Sequence, residues 1–266
     1  MITDFQYAGE FGSDYMLTPC TFDTGGGVET IDFGSQLSTE RTNVVGTDER
    51  VLINPDYSSA LSFTFQACKA DEAGNALPIS AEEYSKINRW LNRKESHVFK
   101  IKKDTYENIY YLGSFNIQAV KVNGEIYGIE LTFTSAYPYG FMDEITVEYD
   151  DVNNFTVYNC SDETGDIYPY IEITCLSDGD LKITNTMDNE IFEVKNCKKN
   201  EIIKIDGKSR IITSSVDTHK VCDDFNYNYL KIISTYEERL NTYSSSVNIN
   251  ITVKYSPVRK AGVYCE

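Results

Sequence analysis

Only one stretch of this 266-residue chain repeats its apolar residues at a helical period, and that scarcity constrains the fold more than any other feature. Tyr84, Ile87 and Leu91 share a face with Trp90 beside them, and the pattern predicts a helix over residues 81–94. The start is specified locally. Ser80 followed three residues later by Glu83 makes a capping box, and Ile79 and Tyr84 stand where a hydrophobic staple would place them. Arg93 and Lys94 suit the negative end of the helix dipole.

Elsewhere the apolar residues alternate. In 60–67, Leu61, Phe63 and Phe65 face one way and Ser62, Thr64 and Gln66 the other, which is the pattern of a half-buried strand. Strands are also expected at 98–102 and 109–115. A hairpin is expected from 115–122 and 125–133 around Asn123-Gly124, since a type I′ turn needs positive φ at both central residues. Tyr127, Ile129, Leu131 and Phe133 line one face of its return strand. Tyr137-Pro138-Tyr139-Gly140 then breaks the pattern, and a boundary near residue 142 divides the chain into domains 1–142 and 143–266. The second part shows only short strands, at 145–149, 155–158, 170–174, 180–184, 191–195, 201–205, 210–213, 229–233 and 247–255. Asp206-Gly207 joins two of them, and no segment there has helical periodicity. With 20 Tyr and 13 Phe against one Trp, the composition suits pleated surfaces. The expected fold is mainly β: a sandwich or barrel-like first domain with one helix, then a β-sandwich or jelly roll.

Charge narrows the function. Residues 1–142 carry 11 basic against 19 acidic side chains and residues 143–266 carry 13 against 22, so neither half offers the basic footprint of a nucleic-acid or anionic-membrane binder. No apolar run approaches a transmembrane length, and Met1–Phe5 does not read as a secretory signal. The seven cysteines (20, 68, 160, 175, 197, 222 and 265) have no C-x-x-C pair, so zinc ribbons and thioredoxin-like sites are disfavoured and reduced, structural thiols are expected.

Catalytic residues are scarce. The two histidines, His97 and His219, accompany no triad motif and read as exposed loop residues. The pairs Asp150-Asp151, Asp223-Asp224 and Glu237-Glu238 could in principle serve glycoside hydrolysis, but they lie in polar loop sequence. Hard oxygens gather at Asp178-Gly179-Asp180 and in Asp150–Asn154, which suits calcium better, yet neither has EF-hand spacing and both read as turns. Gly25-Gly26-Gly27 lacks the Lys and Ser/Thr of a phosphate loop and reads as a hairpin tip. Trp90 reads as core or interface packing. No catalytic, cofactor-binding or metal site is expected, and the chain reads as a structural or binding protein.

Several pieces in collinear order resemble the distal tail proteins of long, flexible-tailed bacteriophages and prophages. They are the opening Phe5–Tyr15, the helix with Trp90-Leu91, Tyr110-Tyr111, the Asn123-Gly124 hairpin, and the close at Leu131–Tyr139. In the second half they are Tyr168–Ile171, Asp180–Asn185, Glu201–Asp206 and Arg259–Gly262. The resemblance implies a hexameric ring formed by the first domain and an outer, galectin-like second domain. It further implies a virion hub at the distal end of the tail that joins the tail tube to tail-tip, baseplate or receptor-binding proteins and leaves a channel for DNA. Such a protein is made in the host cytoplasm and needs no enzyme activity. Galectin sugar sites use a stacking Trp with a His/Asn/Arg cluster, and residues 143–266 contain no Trp, so sugar binding does not carry over. The alternative is a carbohydrate-binding or host-surface adhesion module acting through 143–266. Rings of identical subunits close through head-to-tail contacts, which need strand edges and apolar anchors. Acidic residues along a channel would let DNA slide by like-charge repulsion.

Overall fold

In the computed structural model, which describes residues 4–20, 22, 37–43, 46, 50–57, 60–71, 73–102 and 109–260, alternation becomes two sheet-built units. One comprises 1–142 together with the chain from Arg259, and the other 143–258. The sequence division had kept 143–266 together. Lys260, whose ammonium lies 5.5 Å over the Tyr57 ring, instead returns to the first unit through a cation–π contact.

The first unit begins with β1 (Asp4–Tyr7), β2 (Glu10–Phe11), a 3₁₀ turn at Gly12–Tyr15 and β3 (Leu17–Cys20). It continues through β4 (Leu37–Asn43), β5 (Arg50–Tyr57), β6 (Ser62–Lys69), α1 (Ala81–Leu91) and β7 (His97–Lys102). It closes with β8 (Ile109–Val122), β9 (Glu125–Ser135) and β10 (Gly140–Met142). The main sheet runs β2-β1-β7-β8-β9-β6-β3, and β4 and β5 pair apart from it. Phe133 lies opposite Phe115 on one side and Phe63 on the other, so the alternation read from the sequence becomes a cross-strand aromatic ladder. Ile129, Leu131 and Phe133 are fully buried on the expected face, while Tyr127 is only half-buried. The two strands expected at 109–115 and 115–122 are one continuous strand, β8. Gly113 lets it approach β9. A Cβ there would stand 2.3 Å from the Thr134 carbonyl oxygen, which rigid backbone could not relieve. The hairpin turn has Asn123 at φ 52° and Gly124 at φ 92°, as a type I′ turn requires.

The helix starts as expected and stops earlier. Glu83 N–H donates to Ser80 Oγ (3.3 Å) and Ser80 N–H donates to the Glu83 carboxylate (2.9 Å), completing the capping box. Glu83 also meets Lys69 Nζ at 2.7 Å, and these donors, Lys69 first and then Ser80, hold its carboxyl down at about 2. The last helical residue is Leu91, not Lys94. Arg93 folds back so that its Nε donates to the Trp90 carbonyl at 2.7 Å, satisfying a helix-end acceptor that another turn would otherwise have covered. Replacing Ser80 with Ala is expected to cost about 1 kcal/mol. Chemical denaturation checks this, and an unchanged midpoint would contradict the cap.

The second unit contains β11 (Ile145–Tyr158), β12 (Gly165–Ile167), β13 (Tyr170–Cys175), β14 (Gly179–Asn185) and β15 (Ile191–Cys197). It then forms β16 (Ile202–Asp206), β17 (Ile211–Ser214), α2 (Val221–Asp224), β18 (Ile232–Ser234) and β19 (Leu240–Tyr255). Its larger sheet runs β15-β14-β19-β13-β16-β17 with β11 also on β19, and β12 pairs with β18. β19 holds it together, pairing with β14 through residues 243–245 and with β13 through 249–254. Ile173, Leu181, Ile183, Val194, Ile203 and Ile205 form the centre of its all-β core.

Four sequence expectations change here. The strands at 145–149 and 155–158 are one, β11, with irregular pairing around Asp151 (φ 51°). The strand expected at 247–255 begins at Leu240, because ladder partners recruit the polar run Asn241–Ser246, which has no apolar alternation of its own. Residues 229–231 are not strand, and α2 is a short helix where no helical period was visible. Four residues are too few to display one.

Candidate functional site

Most of the residue types that could carry chemistry lie apart, His219 and Asp224 excepted. His97 is not the exposed loop residue expected: it opens β7, where strand pairing half-buries it, and its ring meets Tyr7 edge-on at 5.7 Å. Asp150–Asn154 is not a loop or turn as expected but an irregular stretch of β11 held by pairing with β19; Asp150 and Asp151 are exposed there, and Asp151 donates its N–H to Asn250 Oδ1 (2.9 Å) and accepts from Asn248 Nδ2 (2.8 Å). Asp178 accepts the Lys199 N–H at 2.7 Å and so anchors a turn, but Asp180 is not in a turn as expected: it lies in β14 and accepts the Asn196 N–H of β15 at 3.0 Å, where the register of the two strands shifts. Glu237 and Glu238 are exposed, and Glu238 accepts the N–H groups of Arg239 and Leu240. Among the described residues no group of three or more His, Cys, Asp or Glu side chains is arranged to hold a metal ion. The six described cysteines are free thiols. Gly25-Gly26-Gly27 lies outside the described residues. Trp90 is buried, as its place on the helix implied. It stacks on Tyr15 at 4.3 Å and on Phe5 at 5.7 Å, and its Nε1–H donates to the Tyr7 carbonyl at 2.9 Å.

His219 differs from expectation. It is not an exposed loop residue: its side chain is 5% exposed and its Nδ1 bonds Glu201 Oε1, on a carboxylate with no exposure at all. That carboxylate also accepts from Ser214 Oγ at 2.5 Å and from the Lys198 N–H at 2.7 Å. Burial alone would push the Glu201 carboxyl up, but these donors outweigh it and hold it below the ordinary value. The Asp223-Asp224 pair is split, with Asp223 exposed and Asp224 turned so that its Oδ2 lies 3.2 Å from His219 Nε2. A signal for Glu201 existed in the sequence: in Glu201–Asp206 it falls on the same face as Ile203 and Ile205, which are fully buried.

A second polar group, the half-buried Lys231, is enclosed by carboxylates of Asp188 (3.1 Å), Asp166 (3.2 Å) and Glu190 (3.4 Å). Burial pulls its ammonium down, but these partners prevail and raise it. Asn241, fully buried, exchanges hydrogen bonds with the Ile233 backbone (N–H to Oδ1, and Nδ2–H to the carbonyl, both 2.8 Å), as a strand partner would. These groups tie separate strands and loops of the second unit together.

The remaining candidates are surfaces. In the first unit Tyr137, Tyr139, Phe141 and Tyr110 form a partly exposed cluster, with ring centroids 5.3–6.0 Å apart along the chain of contacts. In the second unit Tyr227, Tyr236, Ile211 and Tyr158 are more than half exposed. Arg210 lies over the Tyr168 ring at 3.5 Å and near Tyr229 at 5.0 Å, in an arrangement of rings and cation that holds the loop before β17.

The described residues form two sheet-built, mainly β units with exposed aromatic anchors, and the relatives of the chain give it a family. Residues 1–136 match the family model of the phage tail protein N-terminal domain, and residues 137–255 match that of the phage tail C-terminal domain. The chain belongs to this phage tail protein family. It is similar to the SPbeta prophage-derived protein YomH of Bacillus subtilis (strain 168), 25% identical over 157 residues, which are 57% of this chain and 61% of that protein. The chain thus matches less than two thirds of that relative's length. The crystal structure of Dit (gp 19.1) of phage SPP1 shares the fold over 95% of this chain and 98% of that one, with a TM-score of 0.67 at 11% identity. That protein is described as a paradigm of the hub adsorption apparatus in phages that infect Gram-positive bacteria. The distal tail resemblance read from the sequence is met by this fold and by the family.

Proposed function

We propose that the chain is a non-enzymatic hub at the distal end of a phage tail. Six copies close into a ring through the first domain, 1–142, join the tail tube to tail-tip or baseplate proteins, and leave an axial channel for DNA. The second domain faces outward. The observation that carries this reading is the match of both units, in order and over nearly the whole chain, to the fold of a hub protein. Two physical features support it. The Tyr110/Tyr137/Tyr139/Phe141 cluster offers aromatic anchors of the kind that dominate subunit interfaces. A net charge of −17 keeps a ring of such chains from gripping DNA that passes through it, and acidic side chains along the channel wall follow from that requirement.

The test is the mass of the purified full-length chain by light scattering, with negative-stain imaging of the same sample. A closed annulus of six is expected. A chain that stays a single subunit at high concentration, and forms no annulus in assembled virions, would overturn the reading. Lys and Arg lining the channel would remove the electrostatic part alone.

A further inference from the structure

The hub role makes no use of the buried ion triad Glu201–His219–Asp224, and its two arms are unequal. On one side the Nδ1 of His219 bonds a carboxylate that has no solvent exposure and that also receives Ser214 and the Lys198 N–H. On the other, Nε2 lies 3.2 Å from the Asp224 carboxylate, whose side chain is 27% exposed. Nε2 is itself buried and makes no aligned hydrogen bond, so this arm rests on charge. Asp224 is the last residue of α2, and its other oxygen accepts from Asn196 Nδ2 at 3.0 Å. The segment is fixed at its two ends. Ser215 N–H donates to the Ile202 carbonyl at 2.9 Å before α2, and Phe225 packs on Phe192 at 5.4 Å after it.

We propose that His219 is a proton-dependent clasp on α2: as the imidazolium it ties Asp224 to the buried Glu201, and as the neutral ring it keeps Glu201 and lets Asp224 go. A neutral imidazole has a single N–H. If that proton left Nδ1, the Glu201 carboxylate would lose a donor where no water can replace it, at a high cost for a buried charge. Asp224 reaches solvent and can be hydrated instead. The remaining proton therefore stays on Nδ1, and the Nε2 lone pair then faces a carboxylate oxygen and repels it. Raising the pH accordingly loosens α2, its exposed Cys222 and the adjoining Tyr227, whose hydroxyl donates to the Cys222 carbonyl at 3.0 Å.

The titratable groups facing the ring from each packed element are few among the described residues. They are Glu201 before β16, the Cys197 thiol from β15 and Asp224 from α2; β17 contributes only the Ser214 hydroxyl. Asp180 of β14 stands one link further out, accepting the Asn196 N–H. Asp217, Lys220 and Asp223 lie on the segment itself. Burial alone would pull the imidazole down, but Glu201, then Cys197 and Asp224, outweigh it and hold the proton above the ordinary value of 6.5. The sign follows. The clasp is complete below the ordinary imidazole value and is lost as pH rises through the raised native one.

The experiment uses the full-length chain. Histidine C2 hydrogen exchange by mass spectrometry gives the titration midpoint of His219 and of His97, the only other histidine. Backbone amide exchange is followed over the same pH range after correction for intrinsic rates. Peptides covering 216–226 should lose protection by about tenfold for each pH unit between the His219 midpoint of Asp224→Asn and that of the unaltered chain, as linkage requires, while peptides of β13 and β16 stay unchanged. Asp224→Asn, whose amide can partner either form of Nε2, should abolish that step and leave the His219–Glu201 bond intact. Protection in 216–226 that does not change through the His219 midpoint would overturn the proposal. So would the same step in Asp224→Asn as in the unaltered chain, or a His219 midpoint at or below the ordinary value.

Discussion

Replacing Trp90 with Ala is expected to lower the stability of the first unit by about 4 kcal/mol, the largest effect of any single truncation considered. The indole is almost wholly buried between Tyr15 and Phe5, so its removal opens a cavity among rings that cannot close over it. It also strips the Tyr7 carbonyl of its 2.9 Å donor inside the core, adding the cost of an unmet buried acceptor. Trp90→Phe separates the two contributions. It keeps most of the stacking, loses the N–H, and should cost about 2 kcal/mol. Calorimetry checks both variants through the unfolding transition, since Trp90 is the only Trp and neither variant retains its fluorescence. Equal losses would mean that packing contributes little and the hydrogen bond dominates.

Replacing Glu201 with Gln should destabilise the second unit by about 3 kcal/mol at neutral pH. The shape is kept, but an amide N–H₂ now confronts the Lys198 N–H, donor against donor, and His219 loses the charge that compensates its buried proton. The pH dependence identifies the cause. The native Glu201 carboxyl lies below its ordinary value, so its contribution is present above that value and fades as pH falls through the native one. Denaturation midpoints of the two proteins should therefore converge in acid and diverge towards neutrality. A constant gap across that range would point to altered packing instead of the lost charge.

The parts of the fold legible in the sequence are those where local chemistry and burial agree. Asn123-Gly124 tolerates the positive φ that a type I′ turn needs at both central positions, and Ser80 with Glu83 closes a helix start without help from distant residues. The Phe63–Phe65 and Ile129–Phe133 alternations leave one apolar face each, which must find a partner. The helix end was misread because Arg93 closes it through a side-chain contact with Trp90, and basic residues at a helix end suit either continuation or a cap. The polar start of β19 was missed because its strand conformation comes from ladder bonds to β11 and β14.

Of the buried polar groups, Glu201 was partly visible through its register with Ile203 and Ile205, but its partners were not. Ser214 and His219 lie 13 and 18 residues away along the chain, and the three meet only because β17 returns beside β16. Lys231 likewise gathers Asp166, Asp188 and Glu190 from separate segments. The sequence by itself determined a mainly β chain with one capped helix, an acidic surface and no local motif for catalysis, because periodicity, turn chemistry and charge are properties of neighbouring residues. Tertiary structure alone decided which charges were taken out of water together, because the cost of burying a charge is met only by groups that folding brings within hydrogen-bond reach.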